Sequence, residues 1–432
     1  MKRSRYKEIL KRPSWSPKQL AHYEQSRLRA LLEHAAKNVS FYEKRLRQHG
    51  LTLRDLRRLK DLSFLPLTSM ADLESDSKAF LARGVQRSEC VGRCRPGESA
   101  QMLRVYLSPE ENETREAIGR RIEVFNGLKG RHSCLMILPP NQIPPTSVSL
   151  GLGSWRERLL GGRRCCVPAS ETPPEQLRVL QRLRPACVAA PLWVLMRLAR
   201  EVREDRPLRF RPRLLLSWGE PARASDREVL RETFGIAPTD VYRAWEFGTI
   251  AAECPQHNGL HINFDLVHVE IIRGERAAGP GETGEVVLTA LANRTMPLIR
   301  YRVGDLATWK RDPCTCGWQG PVLEGVHGRV ENAFVLPSGT FVTSRQFEDC
   351  LDQFTNVVAY RAIQTGRRKV EVLAVPGTLF QERTTQLLRE KCLELLNNEV
   401  GVELRLVNEL PILAGPRRQS ILCKLPGVAR SP

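Results

Sequence analysis

The stretch Leu214-Leu215-Leu216-Ser217-Trp218-Gly219-Glu220, followed by Ser225-Asp226, Phe234-Gly235 and Val241-Tyr242, decides the fold class of this chain. The three leucines read as a short apolar strand, and Ser217 to Glu220 as the loop leaving it. Ser225 or Asp226 can cap a helix that runs to Phe234, Gly235 stops it, and Val241-Tyr242 opens the next strand. Strand, helix and strand in that order form a βαβ unit, which implies parallel strands.

The same texture extends outward. Cys134 to Leu138, Cys165 to Val167 and Cys187 to Ala190 are further buried-strand candidates, separated by helices such as Pro174 to Arg182. From about Leu103 to Thr289 short β runs alternate with amphipathic helices, a layered α/β arrangement whose loops carry the chemistry. The first 50 residues read as a helical leader: Pro17 to Asn38 carries Leu20, Leu28, Leu31 and Leu32, and Phe41-Tyr42 opens a shorter helix ending near Gly50. After roughly Gly328 the texture changes. Val358 to Gln364 and Val370 to Val375 read as paired strands, Thr378 to Asn398 as a helix, and Val402 to Leu406 as another strand. The expected architecture is a large layered domain with mixed and parallel sheets over 1–328, and a small α+β domain over 329–432.

The bulk numbers bound the function. A chain of 432 residues has room for two or three cores, and 41% hydrophobic with 27% charged residues excludes disorder. No apolar run reaches the length of a membrane span, and the N-terminus lacks the apolar segment of a signal peptide, so a cytoplasmic protein is expected. The net charge of +19 comes from arginines spread along the chain, such as Arg54, Arg120, Arg156 and Arg163. They are not interleaved with aromatics and accompany no helix-turn-helix or finger spacing. They read as a solvated surface with a general attraction for anions, not as a specific nucleic-acid interface. The 12 cysteines are scattered, as small buried apolar residues of a reduced compartment would be.

Four stretches carry the chemistry: Tyr242-Arg243-Ala244-Trp245-Glu246, Gly281-Glu282-Thr283-Gly284-Glu285, Pro297-Leu298-Ile299-Arg300-Tyr301-Arg302-Val303-Gly304-Asp305, and Gly328-Arg329-Val330-Glu331-Asn332. Their order and spacing resemble the adenylate-forming superfamily, most closely its phenylacetate–CoA ligase and CapK-type branch. The leader text Leu28 to Tyr42 and the pair Glu253-Cys254 with Gly259-Leu260-His261-Ile262 add to that resemblance. It implies ATP-dependent activation of a carboxylic acid to an acyl-adenylate, then transfer to coenzyme A or a carrier thiol, with aryl or aryl-acetic acids as the habitual substrates. Asp305 would accept the ribose hydroxyls with Arg329 in support, and Tyr242 would face adenine opposite the backbone of Ser217 to Glu220, including Gly219 and Glu220. Glu246 would hold Mg²⁺, Glu331 would occupy the hinge of a rotating lid, and Trp193 and Trp218 would line the acid pocket. An acidic carrier protein and a homodimer are among the partners this reading allows.

The sequence departs from the pattern at three phosphate-contacting places. In the phosphate loop, Arg95-Pro96-Gly97-Glu98-Ser99-Ala100-Gln101-Met102, only Gly97 and Ser99 keep the expected character. Such loops act by presenting backbone N–H groups, and Pro96 removes one. Trp245 stands where a small hydroxyl residue is usual, and Arg243 where Gly is. Near the C-terminus Gly415-Pro416-Arg417-Arg418 has no lysine, so Arg417 is the candidate cation, with a planar head rather than an ammonium. These departures support the rival reading of a degenerate member that binds a nucleotide or a partner without catalysis.

A separate cluster suggests metal. Cys254, His261, Cys314 and Cys316 supply thiolates and an imidazole that suit a closed structural Zn²⁺ site, with His257 as the competing fourth ligand.

Overall fold

The computed structural model describes residues 3–96, 102–129, 132–140, 143, 164–204, 208–410 and 420–425. The leader is helical: α1 (Arg3–Lys11), α2 (Pro17–Asn38) and α3 (Ser40–Gln48), followed by the short α4 (Met70–Ser75). Ser16 and Gln19 form a reciprocal capping box at the start of α2, with Pro17 in the first turn, where its missing N–H costs nothing. A hairpin of β1 (Val91–Pro96) and β2 (Met102–Leu107) leads to α5 (Pro109–Phe125), capped in the same way by Ser108 and Glu111.

The body is a 12-stranded sheet. Its parallel half holds β3 (Cys134–Leu138), β4 (Arg164–Pro168), β5 (Cys187–Pro191), β6 (Leu214–Trp218) and β7 (Thr239–Ala244). The βαβ unit is therefore present, and β5 is buried along its whole length, as a strand covered on both faces must be. Its helix is Ala224–Phe234. Neither Ser225 nor Asp226 is its cap, because both lie inside the first turn. Arg223 occupies the cap position and its N–H donates to the Asp226 carboxylate at 2.9 Å. From β7 onward the sheet is antiparallel: β8 (Gly248–Glu253), β9 (Leu260–Ile262), β10 (Val267–Arg273), β11 (Arg276–Ala277), β12 (Thr283–Ala290), β13 (Tyr301–Trp309) and β14 (Val322–Arg329). The spatial order is β11-β10-β12-β13-β14-β9-β8-β7-β6-β5-β3-β4.

A buried ionic centre ties the leader to this body. Asp265 accepts from Arg121 of α5 at 2.8 and 2.9 Å and from Arg12 at 2.9 Å, all three groups lying out of solvent. A carboxylate there needs both partners, because an unpaired buried charge is costly.

Residues beyond Val330 build a hairpin of β15 (Ala333–Val335) and β16 (Phe341–Thr343) and a four-stranded sheet, β19 (Gly401–Leu406), β18 (Lys369–Pro376), β17 (Val357–Gly366) and β20 (Ile421–Cys423), in that order. Helices Ser344–Leu351 and Glu382–Leu395 flank it, and Phe334, Phe347, Leu388, Cys392 and Ile421 form its core. The second helix is shorter than the Thr378–Asn398 expectation, since a turn closed by Phe380 N–H on Gly377 O precedes it. Among the described residues no helix is long and apolar enough to cross a membrane.

Candidate functional site

The motifs converge along β13, near the C-terminal ends of β7 and β14. Tyr242 Oη donates to Asp305 Oδ2 at 2.8 Å, and Arg329 Nη1 donates to Asp305 Oδ1 at 3.0 Å. Asp305 and Arg329 are cross-strand partners of β13 and β14, so backbone register alone sets them side by side. Tyr242 is farther off: three strands separate β7 from β13, roughly 19 Å in a flat sheet of 4.8 Å spacing. The sheet must curl for that phenol to reach the carboxylate. Gly304 takes φ +79°, and a Cβ there would lie 2.7 Å from the Arg329 guanidinium, so the Gly before Asp305 is required on both counts.

Charge distribution keeps this set in one protonation state. Burial and the adjacent Asp305 hold the Tyr242 phenol protonated, well above its ordinary pKa, and so a donor. Burial works against the Arg329 cation, but Asp305 and Glu331 outweigh it and raise its pKa. Arg329 also donates to Val303 O at 2.6 Å and to Glu331 at 3.3 Å, which fixes its head. Asp305 keeps 16% of its side-chain exposure, so one edge stays open to a ligand hydroxyl.

Glu246 is buried, and Tyr301 Oη donates to its carboxylate at 3.3 Å. Arg115 of α5 grips the turn that carries it, donating to Trp245 O at 2.6 Å and Glu246 O at 3.1 Å. Burial and the nearby Arg93 and Arg243 push the Arg115 pKa down to about 9, which still leaves it charged at neutral pH. Gly219 and Glu220 lie exposed in the loop after β6, with Gly219 at φ +96°. Trp218, at the end of β6, carries the Arg243 guanidinium 4.9 Å from its ring centroid, while Trp193 is exposed under Arg197. β1 and β2 pair up to Pro96↔Met102; Gly97 and Ser99 fall between them, outside the described residues, as does Arg417.

Cys254, His261, Cys314 and Cys316 come together although about sixty residues of chain separate the two pairs: their ligand atoms all lie within 4.8 Å of one another. Cys254 Sγ is 3.7 Å from Cys314 Sγ, and Cys316 Sγ is 3.4 Å from His261 Nε2. The pairing of β9 with β14 at Leu260↔Leu323 and His261↔Val322 brings the two loops together. His257 turns away, its Nδ1 2.9 Å from Glu253, so it is not part of the group. Burial lowers the His261 pKa to about 4, which keeps its imidazole neutral, and its buried Nδ1 has no hydrogen-bond partner.

Three participants escaped the sequence reading. Arg115 stands alone in a helix with no motif around it. Its one trace is Gly248 at φ +86°, where a Cβ would meet Arg115 Nε at 2.5 Å. Tyr301 lies inside a quoted motif, but its hydroxyl contact crosses the sheet. Gln256, whose Oε1 is 3.3 Å from Cys314 Sγ, has no type-specific signal.

Comparison with protein-family models gives no match. Among curated proteins, phenylacetate–coenzyme A ligase of Thermus thermophilus is 25% identical over 92% of this chain and 93% of its own length. The enzyme of the same name from Escherichia coli is 23% identical over 87% and 86%. Among solved structures, the open conformation of 2-hydroxyisobutyryl-CoA ligase in complex with 2-HIB-AMP and CoA superposes with a TM-score of 0.74. It is 19% identical and covers 92% of this chain and 90% of that one, a likeness of fold. In fold the chain is similar to adenylate-forming ligases, and in sequence it is similar, along nearly its whole length, to phenylacetate–coenzyme A ligases.

Proposed function

We propose that this chain joins a small carboxylic acid to coenzyme A in two steps driven by ATP. A carboxylate oxygen of the acid attacks the α-phosphorus, the bond to the β-phosphate breaks, and pyrophosphate leaves. The thiol sulfur then attacks the acyl carbon, its proton is lost, and AMP departs. The observation that carries this reading is the pre-formed Tyr242–Asp305–Arg329 set beside Glu246. A carboxylate with an open edge, fixed by two donors, suits the paired hydroxyls of a ribose. Adenylation of this kind depends on positioning and electrostatics more than on a protein base.

Tyr242 and the loop with Gly219 and Glu220 would border adenine. Glu246 would hold Mg²⁺, whose charge offsets the repulsion between carboxylate and triphosphate. Gly97, Ser99 and Arg417 would meet the phosphates from segments outside the described residues. Residues 329–432 would act as the lid, hinged beside Glu331. Cys254, His261, Cys314 and Cys316 would hold a structural Zn²⁺. Three thiols and a neutral imidazole match that ion's preference, and four protein ligands leave no open position for water. An aryl or aryl-acetic acid is the favoured substrate and Trp218 its wall; a carrier thiol is the alternative acceptor.

Pyrophosphate release from ATP and Mg²⁺ over a panel of acids, with hydroxylamine to trap acyl-adenylate, tests the reading. Acid-dependent release supports it. Trp245, a bulky ring where a small hydroxyl is usual, favours the second reading of a nucleotide-binding protein without catalysis. Silence across the panel from folded, ATP-binding protein would establish that second reading instead.

A further inference from the structure

We propose that Arg243 and Arg115, backed by Arg93, form the site that receives the triphosphate of ATP, in place of the hydroxyl-rich loop this sequence lacks. The proposal rests on the nucleotide reading above. Three guanidiniums from three elements gather beside the turn that carries Glu246. Arg93 comes from β1, four residues before Gly97, and donates to Asn112 and Glu116, both at 2.7 Å. Arg115 comes from α5 and spends two N–H groups on the carbonyls of Trp245 and Glu246. Gly248 leaves the space this requires.

Arg243 comes from β7 at a break in register. Tyr242 faces Ala251 but Arg243 faces Thr249, so Ile250 of β8 is left over, and such a bulge re-aims the side chains beside it. The Arg243 side chain is exposed and rests on the Trp218 ring at the start of the loop containing Gly219 and Glu220. Stacking on an indole holds the plane of a guanidinium while leaving its N–H edge free.

Among the described residues, the ion pairs of these three arginines comprise only Arg93 with Glu116. With the Glu246 carboxylate also acting on Arg115, the group keeps an excess of about one positive charge, in a place where the proposed reaction brings a polyanion next to the ribose set. Forked guanidiniums bind phosphate oxygens in pairs, whereas a loop containing Pro96 and Glu98 has one donor fewer and a repelling carboxylate. Arginines on folded elements can then do what loop amides do elsewhere.

The test is calorimetric titration of ATP and of AMP into wild-type, Arg243→Gln and Arg243→Lys proteins, with KM for the acid measured alongside. Losing one charge-assisted contact should raise the ATP Kd roughly 10- to 100-fold, leave AMP binding unchanged, and be partly recovered by lysine. Arg115→Met is the second variant; folded by circular dichroism, it should show the same selective loss. Equal weakening of ATP and AMP, or no weakening of either, overturns the proposal. So does an unchanged ATP Kd with a raised KM for the acid, which would give the arginines to the other substrate. A wild-type protein that binds neither nucleotide overturns the nucleotide reading itself, and the proposal with it.

Discussion

Replacing Asp305 by alanine removes the acceptor shared by Tyr242 and Arg329, and with it the proposed seat of the ribose. Its carboxylate already takes donors at 2.8 and 3.0 Å, leaving lone pairs on the open edge for two ribose hydroxyls. A hydrogen bond to a charged group contributes about 1.5–3 kcal/mol, and two such bonds on one carboxylate are not additive. A loss of about 3 kcal/mol is therefore expected, which weakens AMP binding roughly 150-fold. The same change leaves the Tyr242 phenol and one Arg329 N–H without their partner and should destabilise the fold by about 1–3 kcal/mol. Titration of AMP at fixed ionic strength reads the first effect, and urea denaturation of the free protein reads the second. Asp305→Asn, which keeps one acceptor oxygen, should fall between. A folded Asp305→Ala protein that binds AMP as tightly as wild type would refute the assignment of the cleft.

Other expectations are separable from this one. Arg417→Ala should slow adenylation by an order of magnitude or more with little change in ATP affinity; a full retained rate, read by pyrophosphate release, removes the residue from the mechanism. Purified protein should carry about one zinc per chain, and chelation should lower its Tm, while His257→Ala should leave the metal content as it was. Metal-free native protein with an unchanged Tm would end the zinc reading. Asp265→Asn leaves Arg12 and Arg121 buried around a neutral amide and should cost about 3–5 kcal/mol in urea denaturation; a loss under 1 kcal/mol would show that the centre is not needed. Burial raises the Asp265 pKa, but Arg121 and Arg12 outweigh it and the net shift is downward. Its contribution is therefore present above 3.8, the unfolded value, and is lost as pH falls from there through the lower folded value. A matching loss in the Asn variant over that window would contradict the assignment.

Local chemistry was readable in the sequence, and distant pairing was not. Leu214 to Tyr242 shows its βαβ unit because an apolar strand, a loop and a Gly stop each mark a boundary by residue type. The Cys/His group was readable from ligand chemistry, and the choice between His261 and His257 was not, because it turns on the pairing of β9 with β14. Asp305 and Arg329 belong to motifs; that they face each other is a fact of register. Arg121 and Asp265 were missed altogether, since a single arginine and a single aspartate 144 positions apart have no spacing that marks them. The helix start at Arg223 was misplaced because a cap there acts through its backbone N–H, invisible in residue type.

The central place of β7 has a consequence for motion. It is hydrogen-bonded to parallel β6 on one side and antiparallel β8 on the other. Thr239 and Asp240 pair with β6 and Val241 to Ala244 with β8; strands inside a sheet open close to the global unfolding free energy, so exchange with deuterium at Val241 should follow global unfolding. The backbone from which Tyr242 hangs is thus among the last parts of the molecule to loosen. Under the proposed function, accommodation of differently shaped acids would then fall to the segments that meet this strand at its ends, such as the loop after Trp218 and the turn at Trp245.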